Sequence, residues 1–278
     1  MRTRLFSICN VYFGLLMSLD FFWSFIFCCI LFSKEEKGKM KAIIMAAGLG
    51  TRLAPFTDQL PKPLMPVNGK PVIVYQLEWL AQNNIKEVGI NLFHLGEKIE
   101  KFLGDGSDYE IRITYNKQEE LSGTGGDLKK FEDFIEDENF ILINGDNLFV
   151  VDFNDFQEVH DNKGGIGTLY AREWEDPTRR AIIDIDHDNK IRKFKEKPKP
   201  DEVFSNIAVS GLYIFENKIL EYIPEGEFTN LSYDIIPKVL ASGEEIYAYI
   251  DDGYFADIGN PSGYIQAQID MFRKSHEV

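Results

Sequence analysis

A short apolar run followed at once by a turn of small residues constrains this chain more than any other feature. Residues 42–45 are the kind of run that makes a buried strand. In the turn that follows, residues 46–50, small side chains let the backbone come close to a ligand. Successive N–H groups in such a turn suit an anion. Arg52 and, ten residues on, Lys62 add fixed cations, so this stretch is equipped to hold a polyphosphate.

Two familiar glycine-rich motifs do not describe this turn. The dinucleotide fingerprint requires a third glycine, and Leu53 stands at that position. The Walker loop requires Gly-Lys-Ser or Gly-Lys-Thr, and neither occurs in the sequence. A plain surface turn after an edge strand is the simplest alternative. The cation at Arg52 and the anchor Pro61-Lys62-Pro63 favour a phosphate site over that alternative.

Charge and cysteine content exclude several function classes. Residues 40–278 hold 25 basic and 42 acidic residues, a net charge of −17. An acidic body without a basic stripe argues against a nucleic-acid partner, and a phosphate ligand must therefore be held by a few placed cations. The three cysteines all lie within residues 1–39. Disulfides, thiolate metal sites and cysteine nucleophiles are therefore excluded from the rest of the chain.

The sequence divides into residues 1–39 and residues 40–278. Residues 5–32 are apolar and rich in aromatics, long enough to span a membrane, but Asp20 would be costly in a bilayer. No small-residue cleavage site of a signal peptide precedes Lys34. Residues 34–39 would be encoded almost wholly by purines, as in a ribosome-binding site. We therefore expect residues 1–39 to be a translated leader, with a membrane anchor and a signal peptide as the alternatives.

Strand and helix patterns alternate through the first half of the body. We predict strands at 42–45, 87–93, 111–116 and 140–144, and helices at 71–81, 95–103 and 124–136. This alternation indicates βαβ units and a mainly parallel sheet. In the second half we predict strands at 166–171, 181–185, 191–195, 207–215, 246–250 and 254–256, as antiparallel additions lying over the first sheet. A last helix after Pro261 should carry Ile265, Ile269 and Phe272 on one face. Ala46, Gln118 and Gly145 follow strand ends, so they converge on one crevice.

Four further motifs carry chemistry. Gln118 to Gly126 is a second small-residue turn, in which an amide side chain can both donate to and accept from a base. Asp146, next to a glycine at a strand end, can hold Mg²⁺ against phosphates. Residues 194–198 combine a carboxylate and lysines, and 257–261 place an aspartate before a helix. Each motif alone also fits an ordinary loop, turn or helix cap.

Together these motifs resemble a known family. The elements Gly48-x-Gly50-Thr51-Arg52 and Pro61-Lys62-Pro63-Leu64 are similar to the signature of the sugar-1-phosphate nucleotidyltransferases, and the resemblance extends from Met40 to about Phe272. It implies an α/β, three-layer Rossmann-like nucleotidyltransferase fold, with a mainly parallel mixed sheet and antiparallel additions.

The resemblance also implies roles for individual residues. Nucleotide binding falls to Ala46, Ala47, Gly48, Gly50, Thr51, Arg52, Gln118 and Gly123. Sugar-phosphate binding falls to Gly125, Asn147, Glu196, Lys197 and Val209. Asp146 and Asp257 are the expected ligands of Mg²⁺. Arg52, Lys62 and Asp146 are the expected catalytic residues.

The implied reaction joins an NTP and a sugar 1-phosphate into an NDP-sugar and pyrophosphate. We expect GTP with mannose 1-phosphate. Heptose, glucose or N-acetylmuramate 1-phosphate, and phosphocholine with CTP, stay open. The chain departs from the family at Asn260, where threonine is usual, and at residues 179–181, where many relatives have Tyr-Gly beside the sugar. The second departure leaves the sugar specificity open.

Two other function classes remain as alternatives. One is a nucleotide-sugar sensor without catalysis, although both carboxylates and both cations are present. The other is a membrane-anchored glycosyltransferase that uses the D-x-D patterns at residues 184–188, which we interpret instead as hairpin residues. We expect a cytoplasmic enzyme, possible homo-oligomers, and membrane attachment only if residues 1–39 belong to the working protein.

Overall fold

The computed structural model describes residues 40–276. The interpretations of residues 1–39 as leader, anchor or signal peptide lie outside these described residues. The strands are β1 Lys41–Met45, β2 Pro66–Val67, β3 Lys70–Pro71, β4 Glu87–Leu92, β5 Arg112–Lys117, β6 Phe140–Asn144, β7 Asn147–Phe149, β8 Gly167–Glu173, β9 Ala181–Ile185, β10 Ile191–Glu196, β11 Ile207–Phe215, β12 Ile246–Ile250 and β13 Phe255–Asp257. The α-helices are α1 Val72–Gln82, α2 Gly96–Leu103, α3 Gly123–Lys129, α4 Glu132–Ile135, α5 Phe153–Lys163, α6 Ile236–Ala241 and α7 Pro261–His276.

The first half of the chain forms a parallel sheet, as predicted. β1 is central, with β6 on one side and β4 on the other, and β5 continues beyond β4. β1, β4 and β6 are apolar on both faces, the pattern of a parallel sheet covered by helices, whereas the edge strand β5 has one polar, exposed face. Ile44 packs into the core on one face and Ile43 into the core on the other. Helices α1, α2 and α5 cover the first face, and α3, α4 and α6 the second, which makes three layers.

The antiparallel strands continue this sheet and do not lie over it. β11 pairs with β6, and both β8 and β9 pair with β11. β10 then forms a hairpin with β9, and β12 adds parallel to β8. The prediction of strands packed over the first sheet was therefore wrong, while the prediction of antiparallel additions is confirmed. Alternation in the sequence specifies which faces are apolar, but not whether a strand joins an existing edge.

Two helices differ from the prediction. The expected helix at 124–136 is broken into α3 and α4, and Phe131 at the break is buried. Its ring occupies the space beside Gly89, where a Cβ would come within 2.7 Å of it. In α7, Ile265 and Ile269 lie on one face, as predicted, but they remain 57% and 40% exposed. Among the described residues, none of the helices combines the length and the apolar composition that crossing a bilayer requires.

Parallel topology brings the loops that carry the motifs to one edge of the sheet. The turn after β1, the turn after β5 and the turn after β6 all leave from carboxyl ends of parallel strands, where open α/β sheets bind ligands. A small antiparallel pair, β7 with β13, brings Asp257 opposite Asn147. That pairing is what carries the C-terminal aspartate to the same edge.

Candidate functional site

Two adjoining cavities lie along this edge of the sheet. The larger, of about 370 Å³, is lined by the first turn, the second turn and Lys62. The smaller, of about 170 Å³, is lined mainly by charged and polar side chains. Asp146 and Asn144 line both cavities, so the two are parts of one cleft. We call them the larger cavity and the smaller cavity.

The first turn is held in place by a buried asparagine. The backbone N–H groups of Ala46 and Ala47 both donate to Oδ1 of Asn91, at 2.5 and 3.2 Å. Asn91 lies on β4 and is 1% exposed. Gly50 adopts φ of 72°, and its carbonyl accepts from the Thr57 hydroxyl at 2.8 Å. Ala46, Ala47 and the exposed Gly48 all line the larger cavity.

The second turn packs against a distant segment of the chain. Gly123, with φ of 75°, lines the larger cavity and would bring a Cβ within 2.3 Å of the Thr229 carbonyl oxygen. That oxygen accepts a hydrogen bond from the N–H of Gly125 at 2.8 Å. Phe228, 66% exposed, lines the same cavity. Glycine is required here because the chain segment at 228–229 lies directly on the turn.

Asp127 connects the two turns through Asn91. Asp127 is 4% exposed and accepts from the Asn91 side chain at 3.3 Å and from the Ser122 N–H at 3.0 Å. Burial raises the pKa of Asp127, although the Ser122 N–H and Lys130 oppose this rise. The Asn91–Asp127 pair therefore ties the loop after β1 to the loop after β5.

The two expected metal ligands lie at the junction of the cavities. The two carboxylates approach each other beside Gly259: a Cβ atom added to this glycine would lie 2.8 Å from Asp257 Oδ1 and 2.9 Å from Asp146 Oδ2. Lys62 Nζ lies 3.2 Å from Asp146 Oδ2. Arg52 Nη2 would lie 2.9 Å from the same added Cβ atom. All four predicted charges therefore meet at one place.

Asp257 is held in an unfavourable setting for a carboxylate. Burial raises its pKa, and the negative charge of Asp146 raises it further. The N–H of Gly259 donates to Asp257 Oδ1 at 2.7 Å, and this bond and the charges of Arg180 and Arg52 act in the opposite direction. Two like charges brought together at a buried point are the arrangement that a cation or a phosphate-bound metal would stabilise.

The expected sugar-binding residues divide between two places. Glu196 and Val209 line the smaller cavity, and burial raises the pKa of Glu196 while Lys197 lowers it. Asn147 also lines this cavity, although its amide donates to the Ser210 carbonyl at 2.9 Å. The side chain of Lys197 is 56% exposed and lines a neighbouring space of about 240 Å³, not the smaller cavity.

Besides Lys197, four expected binding residues line neither cavity, namely Gly50, Thr51, Gln118 and Gly125. Thr51 is exposed, and the buried Gly125 donates its N–H to Thr229. Both amide atoms of Gln118 are buried and make no hydrogen bond of standard geometry, although Gln118 lies close enough to lower the pKa of Asp127. A buried amide without a hydrogen-bond partner could bind a base, but Gln118 is not among the residues that line the larger cavity.

Sequence reasoning missed three residues of the cleft. Asn91 and Asp127 are predicted only as parts of a strand and a helix, although a buried polar residue at the end of an apolar strand is a usable signal. Arg180 was noted only as a departure from a family pattern. It lines the smaller cavity, with its guanidinium carbon 3.4 Å from the ring centre of Trp174.

Comparison with known proteins agrees with this geometry. The family model described as "Nucleotidyl transferase" matches residues 41–274. The chain is 35% identical over 241 residues to the UTP–glucose-1-phosphate uridylyltransferase of Synechocystis, covering 82% of this chain and 62% of that protein. It is 34% identical to the D-glycero-alpha-D-manno-heptose 1-phosphate guanylyltransferase of Aneurinibacillus thermoaerophilus, covering 84% of this chain and 98% of that protein.

A solved structure gives the same result for the fold. HddC from Yersinia pseudotuberculosis superposes with a TM-score of 0.72 at 29% identity, over 84% of this chain and 99% of that one. The predicted three-layer, mixed α/β fold is thereby confirmed. The chain spans 62–65% of the length of several curated relatives that it matches. The match over residues 41–274 shows that the chain belongs to the nucleotidyl transferase family, among relatives named as sugar-1-phosphate nucleotidyltransferases.

Proposed function

We propose that this chain transfers a nucleotidyl group from an NTP to a sugar 1-phosphate. A phosphate oxygen of the sugar 1-phosphate attacks the α-phosphorus, a new P–O bond forms, and pyrophosphate leaves as the bond to the β-phosphate breaks. The observation that carries this proposal is the position of Asp146 at the junction of two cavities, beside Lys62 and Asp257. One substrate in each cavity would bring the reacting groups to that junction.

Such a reaction requires positioning and charge neutralisation more than covalent chemistry. The attacking oxygen is already anionic, so no dedicated general base is needed. Lys62, only 13% exposed at its side chain, would hold the α-phosphate from the larger cavity. Arg52, which reaches the junction from the loop after the glycine turn, would stabilise the departing pyrophosphate.

The junction also fits a divalent cation. No group of three or more metal-binding side chains occurs within residues 40–276. Magnesium in nucleotide sites commonly takes one or two carboxylates and completes its shell with phosphates and water. Asp146 and Asp257 supply two carboxylates at one point. Burial and, after it, the charge of Asp146 raise the pKa of Asp257, and a bound cation would offset both. Bound Mg²⁺ would neutralise phosphate charge and polarise the phosphorus under attack.

For the substrates we favour GTP with mannose 1-phosphate. Relatives named as mannose-1-phosphate guanylyltransferases are 28–31% identical to this chain, and the heptose relative is also named a guanylyltransferase. HddC has also been solved in complex with GMP-PN. The uridylyltransferase relative, at 35% identity, supports UTP with glucose 1-phosphate as the second candidate.

A pyrophosphate-release screen tests both levels of the proposal. Four NTPs are combined with mannose, glucose and D-manno-heptose 1-phosphates in the presence of Mg²⁺, with the Asp146→Asn variant as the control for contaminating activity. We expect release with at least one pair, highest for GTP with mannose 1-phosphate. A maximum for UTP with glucose 1-phosphate would overturn the substrate choice. Equal traces from the wild type and the variant in every pair would overturn the reaction and favour the sensor.

A further inference from the structure

We infer that Arg180 is the side chain that binds the phosphate of the sugar 1-phosphate. This inference rests on the proposed function, because it assigns the smaller cavity to the sugar substrate. Arg180 follows the turn that links β8 to β9 and immediately precedes Ala181, the first residue of β9. It lines the smaller cavity together with Asp146, Asp257 and Glu196, and it does not line the larger one.

The guanidinium of Arg180 is held by aromatic faces. Its carbon lies 3.4 Å from the ring centre of Trp174 and 5.7 Å from that of Phe255. The two rings pack edge to face, 5.8 Å apart. Stacking uses the face of a guanidinium and leaves the N–H groups at its edge free to bind a planar or tetrahedral anion. Within residues 40–276, burial and the charges of nearby side chains act on the pKa of this guanidinium, and no hydrogen bond is among these causes.

Arg172 provides a contrast on the same tryptophan. Its guanidinium carbon lies 5.4 Å from the Trp174 ring centre, but its Nη1 donates to the Gly253 carbonyl at 2.7 Å. Arg172 lines neither cavity. One arginine is therefore tied into the fold, whereas the other presents its donors to the smaller cavity.

The charges around Arg180 locate it at the reacting end of the smaller cavity. Burial lowers the pKa of Arg180, while the charges of Asp257 and Asp146 raise it. An arginine that shares the smaller cavity with Asp146 and Asp257 lies at the end of that cavity where the phosphate of a sugar 1-phosphate would react.

The position of Lys197 leaves this role open to Arg180. The Lys197 side chain is exposed, pairs with Glu196 at 3.4 Å and lies 5.9 Å from the Tyr233 ring centre, outside the smaller cavity. Its backbone N–H donates to the Arg180 carbonyl at 2.9 Å, so the two residues are neighbours across the hairpin. Of these two neighbouring cations, only Arg180 presents its charge inside the smaller cavity.

Calorimetric binding to the full chain tests the inference without depending on turnover. The probes are mannose 1-phosphate, glucose 1-phosphate and glucuronic acid 1-phosphate, with GTP and UTP as reference ligands. In Arg180→Gln we expect the Kd of the sugar phosphates to rise about 10- to 100-fold, the scale of losing hydrogen bonds to a charged group. The Kd of the nucleotides should stay within about twofold. Arg180→Lys keeps the charge but loses the paired N–H donors of the guanidinium, so we expect a Kd between those of the wild type and Arg180→Gln.

Arg172→Gln is the matched control. It should lower the melting temperature through the lost bond to Gly253 and leave the Kd of the sugar phosphates unchanged. Should Arg180→Gln fail to fold, Arg180→Lys carries the test, and an unchanged Kd there overturns the inference.

The possible outcomes separate this inference from the proposed function. A wild-type chain that releases no pyrophosphate but loses sugar-phosphate binding on Arg180→Gln refutes the reaction and supports the inference. If the wild type is active and Arg180→Gln leaves the Kd of the sugar phosphates unchanged, the reaction is supported and the inference is refuted. Two results would also overturn the inference: weakening confined to a uronic acid 1-phosphate would assign Arg180 to an acidic ring substituent, and an equal loss for the nucleotides would assign it to the NTP.

Discussion

The two halves of the cleft are constructed in different ways. The larger cavity is formed around the small residues of two turns, whose backbone Asn91 and Asp127 hold together. The smaller cavity is lined by charged side chains that come from the loop after β1, the turn after β6, the β8–β9 turn, β10 and β13. A nucleotide triphosphate is common to many enzymes and suits a backbone cradle, whereas a particular sugar is distinguished by side chains.

Substitution of the junction carboxylate should have the largest effect. Asp146 belongs to both cavities, so we expect Asp146→Asn to lower kcat by about 10²–10³-fold, the scale of losing one preorganised charge contact. Steady-state assays with each substrate varied in turn measure this. Asp188→Asn, at an exposed turn position, should be neutral. If only the KM of one substrate changed, Asp146 would serve one of the two cavities and not both.

Substitution of Asn91, which holds the first turn in place, should affect binding in the larger cavity alone. Asn91→Ala leaves the N–H groups of Ala46 and Ala47 without their acceptor. We expect a loss of about 1–3 kcal/mol in the free energy of unfolding, the cost of unsatisfied buried groups. The KM for the NTP should rise about 10-fold, while the KM for the sugar phosphate stays the same. Asn116→Ala, opposite Asn91 on β5, is the control.

Substitution of Glu196, a carboxylate of the smaller cavity, should affect binding in that cavity alone. We expect Glu196→Gln to raise the KM for the sugar 1-phosphate several-fold, on the scale of one hydrogen bond to a charged group, with no change for the NTP. Burial raises the pKa of Glu196. As the pH is lowered, this carboxylate is therefore protonated at a higher pH than an ordinary glutamate, and the KM of the wild type for the sugar 1-phosphate should rise there. A pH series of KM would show this rise in the wild type and not in the variant. An equal effect of the exposed Glu202→Gln would contradict it.

The smallest expected effect concerns stability at the junction. Because the pKa of Asp257 is raised in the fold, its ionisation destabilises the metal-free protein as pH rises through the pKa of an unfolded aspartate. Asp257→Asn keeps the acceptor for the Gly259 N–H and removes the repulsion from Asp146. We expect its melting temperature at neutral pH to rise by about 2–4 °C in metal-free buffer.

Thermal melts over a pH series check the sign of this effect. The difference between Asp257→Asn and the wild type should shrink as pH falls and vanish below the pKa of an unfolded aspartate, where both side chains are neutral. A variant less stable than the wild type at neutral pH would mean that Arg180 and Arg52 outweigh the repulsion.

Local patterns in the sequence determined much of this protein. The strand bounds of β6, β9, β11 and β12 agree with the predicted ranges, because apolar runs and turn residues are local signals. The same is true of the motif residues that meet at the junction: Arg52, Lys62, Asp146 and Asp257 were all predicted, although they are separated by up to 205 positions. Their chemistry and their places after strands are readable without coordinates.

Only the tertiary structure decided which groups touch. The break that buries Phe131, the continuation of the sheet through β11, the support of Ala46 by Asn91 and the stacking of Arg180 on Trp174 each depend on residues that pairing and packing bring together. Sequence periodicity specifies the face on which a side chain lies, but not its partner across a turn or a sheet edge. The larger cavity was therefore predictable from local motifs, whereas the smaller cavity became defined only when distant charged residues met.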